Sequence, residues 1–260
     1  MRMLSHDVEG DGPVVLLIHE GIADRRMWQT QIGPFVDAGY TVVRCDLRGF
    51  GDSALTPGTY SNIEDIRELL EHLGIERAAL VGGSLGARVA LEYALTYPES
   101  VDALVLMGPG LRGETMTPEV ERAWEEEEAL IEAGDIDGAV EVNLRTWVDG
   151  PSRGPDEVDP TVRELVRQQQ RRAFDIQLAE SEDREEPFDP PASGRLGEVR
   201  ARTLVLVGDL DQPAILDIAD RLAEGIPRAG KVVISGTAHI PNMEKPDEFN
   251  RLVLQFLRAA

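Results

Sequence analysis

The sequence predicts an α/β fold: a mostly parallel central sheet with helices on both faces, interrupted by a helical insertion. Three observations carry this expectation. Short apolar runs alternate with helical patterns between Val14 and Met107. The alternation stops over residues 112–195 and resumes from Thr203 to Arg258. Between one apolar run and one helical run stands Gly82-Gly83-Ser84-Leu85-Gly86, a Gly-x-Ser-x-Gly turn in a strand–turn–helix context. Strands alternating with helices imply a parallel sheet covered on both faces.

Taken in order, Val14 to Ile18 is continuous, apolar and β-branched, and reads as a buried strand. A loop follows at His19-Glu20-Gly21-Ile22. Arg25 to Ala38 has a helical pattern ended by Gly39. Thr41 to Cys45 is the second strand, followed by the glycine-rich Asp46–Ser53 loop. Asn62 to Leu73 is an amphipathic helix with Ile63, Ile66, Leu69, Leu70 and Leu73 on one face. Ala78 to Val81 is the strand entering the Ser84 turn, Leu85 to Tyr97 the helix leaving it, and Val101 to Met107 the fourth strand. Residues 112–195 hold no strand pattern and read as helices over Pro118–Ala133, Ile136–Val148 and Pro160–Glu180. Strands at Thr203–Val207 and Lys231–Ile234, with helices at Ile215–Gly225 and Asp247–Arg258, complete the chain. The expected organisation is a core of residues 1–111 and 197–260 with a lid of residues 112–196 over the sheet's carboxyl edge, where such folds bind ligands.

The 260 residues are 42% apolar and carry a net charge of −22. The acidic balance argues against nucleic acid or an anionic membrane as partner, since both need a basic face. The N-terminal stretch, Met1 to Pro13, is polar, and no segment is apolar enough to span a membrane, so a cytoplasmic protein is expected. A single cysteine, Cys45, excludes an intrachain disulfide and reads as core. No Cys/His cluster has metal-ligand spacing and no phosphate loop occurs, so neither a metal nor a cofactor is expected. Gly108-Pro109-Gly110-Leu111-Arg112-Gly113 formally matches a dinucleotide fingerprint, but it does not open a helix and reads as an entry into the lid. Glu125 to Glu128 reads as a solvated helix face.

A serine hydroxyl is a weak nucleophile and needs a neighbouring base held by a carboxylate. In a strand–turn–helix arrangement of this type the chain order is serine, acid, histidine. Of the four histidines, His6, His19, His72 and His239, only His239 follows Ser84. It lies just past the last strand, at the sheet's carboxyl edge. The acid should end the preceding strand, where Gly208-Asp209-Leu210-Asp211 stands. Asp211, further into the loop, is the better placed; Asp209 is suited to local turn hydrogen bonds. An oxyanion hole would use the Leu85 N–H at the helix start and the N–H of Gly21 or Ile22.

These residues bring the chain to a family it resembles, the α/β-hydrolases, in their lidded esterase-like branch. The resemblance spans nearly the whole chain. His19 stands nine residues before Trp28; Asp46-Leu47-Arg48-Gly49-Phe50-Gly51-Asp52-Ser53 matches the Asp-x-Arg-Gly-x-Gly-x-Ser loop; Gly208 and Asp211 match the acid loop; Gly236, His239 and Glu244-Lys245-Pro246 match the base segment. The resemblance implies a serine hydrolase acting on an ester, lactone or thioester, with a C–C bond hydrolase or a perhydrolase as alternatives and a non-catalytic receptor on the same fold as a further class. The partner is then a small molecule with an ester-type or activated carbonyl. Trp28, Met107 and Trp147 are candidate pocket residues, although Trp28 also suits the core; Trp124 lines a pocket or packs. Arg48 is expected to tie its loop to the sheet. Two positions depart from the family pattern. Glu20 replaces the usual glycine after His19, which puts a carboxylate beside the oxyanion loop, and Gly83 precedes the serine where histidine or glutamine is common.

Overall fold

The computed structural model describes residues 3–55, 57–179 and 183–258. Its strands are β1 (His6–Glu9), β2 (Val14–Ile18), β3 (Thr41–Cys45), β4 (Gly58–Tyr60), β5 (Ala78–Gly83), β6 (Val101–Met107), β7 (Asp183–Glu185), β8 (Arg202–Gly208) and β9 (Ala229–Ile234). Among the described residues, seven of these form one sheet in the order β1-β3-β2-β5-β6-β8-β9. Only the β1–β3 pair is antiparallel. The helices are α1 (Gln29–Asp37), α2 (Asn62–His72), α3 (Leu85–Thr96), α4 (Pro118–Glu132), α5 (Ile136–Asn143), α6 (Pro160–Gln177), α7 (Pro213–Gly225), the short α8 (Pro241–Glu244) and α9 (Pro246–Arg258).

The central strand β5 is buried at every residue, as a parallel strand covered on both faces should be. Helix α3 behind it is buried nearly all round, including Glu92, whose carboxylate pairs with Arg88 and Arg112. A charge inside a core needs such partners.

Four features differ from the sequence expectation. β1 is an edge strand with a polar sequence, His-Asp-Val-Glu, so it lacks the apolar signal of a core strand. The two-stranded β4–β7 sheet places a strand inside the stretch expected to hold none. Three residues per strand are too few for a period to register. The Arg25–Ala38 helix begins as a 3₁₀ turn over Arg25–Trp28, capped by the Asp24 side chain on the Arg26 amide. The Ile136–Val148 helix is α-helical only to Asn143 and then widens into a π-helix, Leu144–Asp149. Helix α6 runs to Gln177; the expected end at Glu180 lies outside the described residues. No helix among the described residues is long and apolar enough to cross a membrane.

Candidate active site

The turn after β5 is what a nucleophile at a strand end requires. Ser84 has φ +46°, the only positive φ at a non-glycine among the described residues. Such a conformation costs about 1–3 kcal/mol and is held by its surroundings. Here the Ser84 N–H donates to the Met107 carbonyl at 2.8 Å, and the Ser84 carbonyl accepts from Arg88 N–H at 3.0 Å. The flanking glycines are steric necessities: a Cβ on Gly82 would stand 2.2 Å from the Gly86 carbonyl oxygen, and one on Gly86 2.2 Å from that of Ile18. Leu85 opens α3, so its N–H has no partner in the helix and sits at the positive end of the dipole.

His239 and Asp211 meet as buried partners. The His239 Nδ1–H donates to Asp211 Oδ2 at 2.8 Å and lies 3.0 Å from Oδ1. Asp211 is further fixed by the Gln212 N–H at 2.7 Å. Asp209 instead accepts from the Ser235 hydroxyl and the Gly236 N–H, the local turn role expected of it. Burial alone would pull the His239 imidazole down, but the neighbouring Asp211 and Glu20 carboxyls more than offset this and hold it at about 9.

The loop after β2 is braced by His19. This ring is fully buried, which keeps it neutral and its affinity for a proton low. Its Nδ1–H donates to the Glu20 carbonyl at 2.6 Å, and its Nε2 accepts from the Leu47 N–H at 2.8 Å. His19 thereby ties the loop carrying Gly21 and Ile22 to the Asp46–Ser53 loop. Gly21 faces Leu85, with a Cβ there falling 3.8 Å from the Leu85 Cβ. Among the described residues no acceptor takes the Gly21 or Ile22 N–H. Arg48 ties its loop to helix α2 rather than to the sheet as expected, in a bidentate pair with buried Asp65.

Ser84, His239, Gly21 and Ile22 open into one cavity of about 250 Å³. Its other walls are Trp124 and Glu127 of α4, Asn143 of α5, Trp147 of the π-helix, and Gln170, Phe174 and Gln177 of α6. A larger cleft of about 490 Å³ around Arg67, Glu71, Tyr93 and Tyr97 contains neither Ser84 nor His239. Trp147 lies over His239, ring centroids 4.7 Å apart. Two expected pocket residues are elsewhere. Trp28 is fully buried against Phe249, 6.0 Å between rings, because the apolar side of its 3₁₀ turn faces α9. Met107 is fully buried with its methyl group under Gly83, on the core side of the turn.

Trp147 reaches His239 from within the π-helix. The last four carbonyls of a helical segment have no partner within it, and here they belong to a π-turn of a kind that recurs at functional sites. The Thr146 carbonyl accepts from Gln212 Nε2 at 2.6 Å and the Trp147 carbonyl from the His239 N–H at 3.3 Å. Arg153 takes those of Val148 and Asp149. One turn of the helical segment therefore grips both the Asp211–Gln212 loop and the His239 loop. Sequence reading missed this, as it missed the polar wall of Glu127, Asn143, Gln170 and Gln177, which sits in ordinary amphipathic helix. It also missed Gly108, where a Cβ would come 3.1 Å from His239 Nδ1. The glycine pattern read as a lid entry was the available signal.

Glu20 is fully buried, and neither carboxylate oxygen has a hydrogen-bond partner among the described residues. Burial raises its affinity for a proton to about 8, against the opposing pull of His239.

The comparisons with known proteins agree with this architecture. The model of the alpha/beta hydrolase fold family matches residues 13–246. The chain is 30% identical over 263 residues to 2-hydroxy-6-oxo-6-phenylhexa-2,4-dienoate hydrolase of Comamonas testosteroni, covering 98% of this chain and 91% of the relative. It is 31% identical over 256 residues to a 2-hydroxy-6-oxononadienedioate/2-hydroxy-6-oxononatrienedioate hydrolase of the same organism, covering 95% and 88%. Among solved structures, a thermophilic esterase from Thermogutta terrifontis superposes with a TM-score of 0.79 at 27% identity, over 98% of this chain and 93% of that one. With a strand–Ser84–helix turn, a histidine–aspartate pair on the following strand ends and a family match across most of its length, the chain belongs to the α/β-hydrolase fold family.

Proposed function

We propose that the protein hydrolyses a bond beside the carbonyl of a small molecule, with Ser84 as nucleophile, His239 as general base and acid, and Asp211 holding His239. Residues 112–196 act as its lid. The observation that carries this reading is that Ser84, the Asp211-bound His239 and the Gly21–Ile22 backbone open into the same cavity. His239 takes the Ser84 proton during attack, the Leu85 and Gly21 or Ile22 N–H groups receive the developing oxyanion, and His239 then protonates the departing atom. Water completes the turnover by the same route.

The bond cleaved is proposed to be a C–C bond of a conjugated oxo acid, on similarity to the dienoate hydrolases over nearly the full chain. Water then adds across the bond to the oxo carbon: hydroxyl to the acyl part, hydrogen to the released carbon, whose electron pair the conjugated remainder accepts. One observation favours a second reading, a neutral ester or lactone. Among the described residues the cavity walls include neither lysine nor arginine, and Glu127 is an acid. Beyond His239, a free carboxylate in the substrate would find no counter-charge among the described residues there.

The test is a paired assay. Loss of the dienoate chromophore from 2-hydroxy-6-oxo-6-phenylhexa-2,4-dienoate is compared with release of p-nitrophenol from short esters, each for the wild type and Ser84→Ala. Ser84-dependent turnover of the dienoate supports C–C hydrolysis; ester turnover alone supports the second reading. Turnover of neither class, or turnover that survives Ser84→Ala, overturns the assignment.

A further inference from the structure

The two departures from the family pattern, Glu20 and Gly83, occupy one place in the fold. A Cβ on Gly83 would stand 2.7 Å from Glu20 Cγ and 3.0 Å from Glu20 Oε1. A residue with a side chain at 83 is therefore incompatible with a glutamate at 20 in this position. The carboxyl lies under the nucleophile turn, outside the cavity walls, and its oxygens find no donor or acceptor among the described residues. An unpaired carboxylate in such a site is costly to ionise. Its charged surroundings come from two loops: His239 after β9 and Asp211 after β8. The ends of β5 and β6 contribute Gly83 and Met107, which carry no charge.

We propose that Glu20 is a positioning residue of this site, a carboxyl seated in the space that Gly83 leaves, which governs when His239 is available as a base. The inference rests on the hydrolase reading above. Glu20 and His239 titrate as a pair. At low pH both hold a proton. Removing one proton gives either neutral His239 beside neutral Glu20, which is the competent state, or imidazolium beside carboxylate, which is not. The attraction between those charges favours the second arrangement, so neutral His239 is reached mainly on loss of the second proton, at higher pH, beside ionised Glu20. The values of about 8 for Glu20 and about 9 for His239 have the direction this requires. Glutamine at position 20 carries no charge, so His239 would release its proton at lower pH.

The experiment uses the full chain, wild type and Glu20→Gln. The rate of Ser84 labelling by a fluorophosphonate is followed against pH, and the His239 ring nitrogens are titrated by NMR with His239→Ala for assignment. In Glu20→Gln both midpoints are expected to fall by about one pH unit, with labelling about fivefold faster than wild type one unit below the wild-type midpoint. Unchanged midpoints would overturn the proposal, because a filler of the same shape would not move them. Absence of labelling in both proteins overturns the hydrolase reading, while the NMR titration still decides the role of Glu20. Should Glu20→Gln fold poorly, Glu20→Ala serves, with the same expected direction.

Discussion

Two buried carboxyls stand near His239, and their environments are opposite. Asp211 is bound to the ring nitrogen and to its own following amide; Glu20 has no partner for either oxygen. The first arrangement fixes the imidazole tautomer and, in the proposed mechanism, would support the imidazolium formed during attack. The second penalises the charge and favours a proton on the carboxyl. Two carboxyls that both act on one histidine thus differ in role, set by burial and by which of them has hydrogen-bond partners.

The comparison is tested most severely by neutral isosteres. Asp211→Asn places an amide against the imidazole and is expected to lower kcat by about four powers of ten, because the wrong tautomer faces Ser84. Glu20→Gln should stay within about tenfold of wild type at the optimal pH of each. Equal losses in a steady-state assay would erase the distinction.

Stability separates the two carboxyls without any substrate. The folded-state value of Glu20, about 8, lies above that of a carboxyl in the unfolded chain. Between roughly 4.5 and 8 the folded protein therefore holds a proton that the unfolded chain has released. Stability falls with rising pH across that window, by up to about 1.4 kcal/mol per pH unit. Glu20→Gln removes this dependence. Denaturant unfolding at pH 5 and pH 7.5 should show the variant gaining on the wild type as pH rises; parallel curves would indicate that Glu20 is ionised in the fold.

The shared space of positions 20 and 83 gives a smaller effect. Gly83→Ala is expected to destabilise by about 1–3 kcal/mol through overpacking, and the loss should shrink in a Glu20→Ala background. Additive changes in thermal unfolding would show that the two positions are independent. The smallest effect is expected at the acid loop's contact with the helical segment. Gln212→Leu removes the hydrogen bond to the Thr146 carbonyl, for a loss of about 1 kcal/mol, and should lower kcat/KM a few-fold while Asp211 itself is untouched.

Most of the sheet and the three polar members of the candidate site were legible because each has a local signal. Short, mostly apolar runs marked β2, β3, β5, β6 and β8; the Gly-x-Ser-x-Gly turn marked Ser84; His239 was the sole histidine after it. Features made by packing were not legible. The π-helix at Leu144–Asp149 preserves the apolar pattern of an α-helix and is defined by what its carbonyls meet in distant loops. Trp28 and Met107 sit near the site in sequence order, but their side chains turn into the core. Glu20 was visible as a departure from pattern. That Gly83 makes room for it is a fact of three dimensions.

The central claim is that Ser84 is a nucleophile activated by the His239–Asp211 pair. It is tested most directly by intact-mass analysis after fluorophosphonate treatment of the wild type, Ser84→Ala and His239→Ala. A single adduct mapped to Ser84 in the wild type, none in Ser84→Ala and strongly slowed labelling in His239→Ala is the expected result. An adduct on Ser84→Ala, or labelling of the wild type that is indifferent to His239, would contradict it.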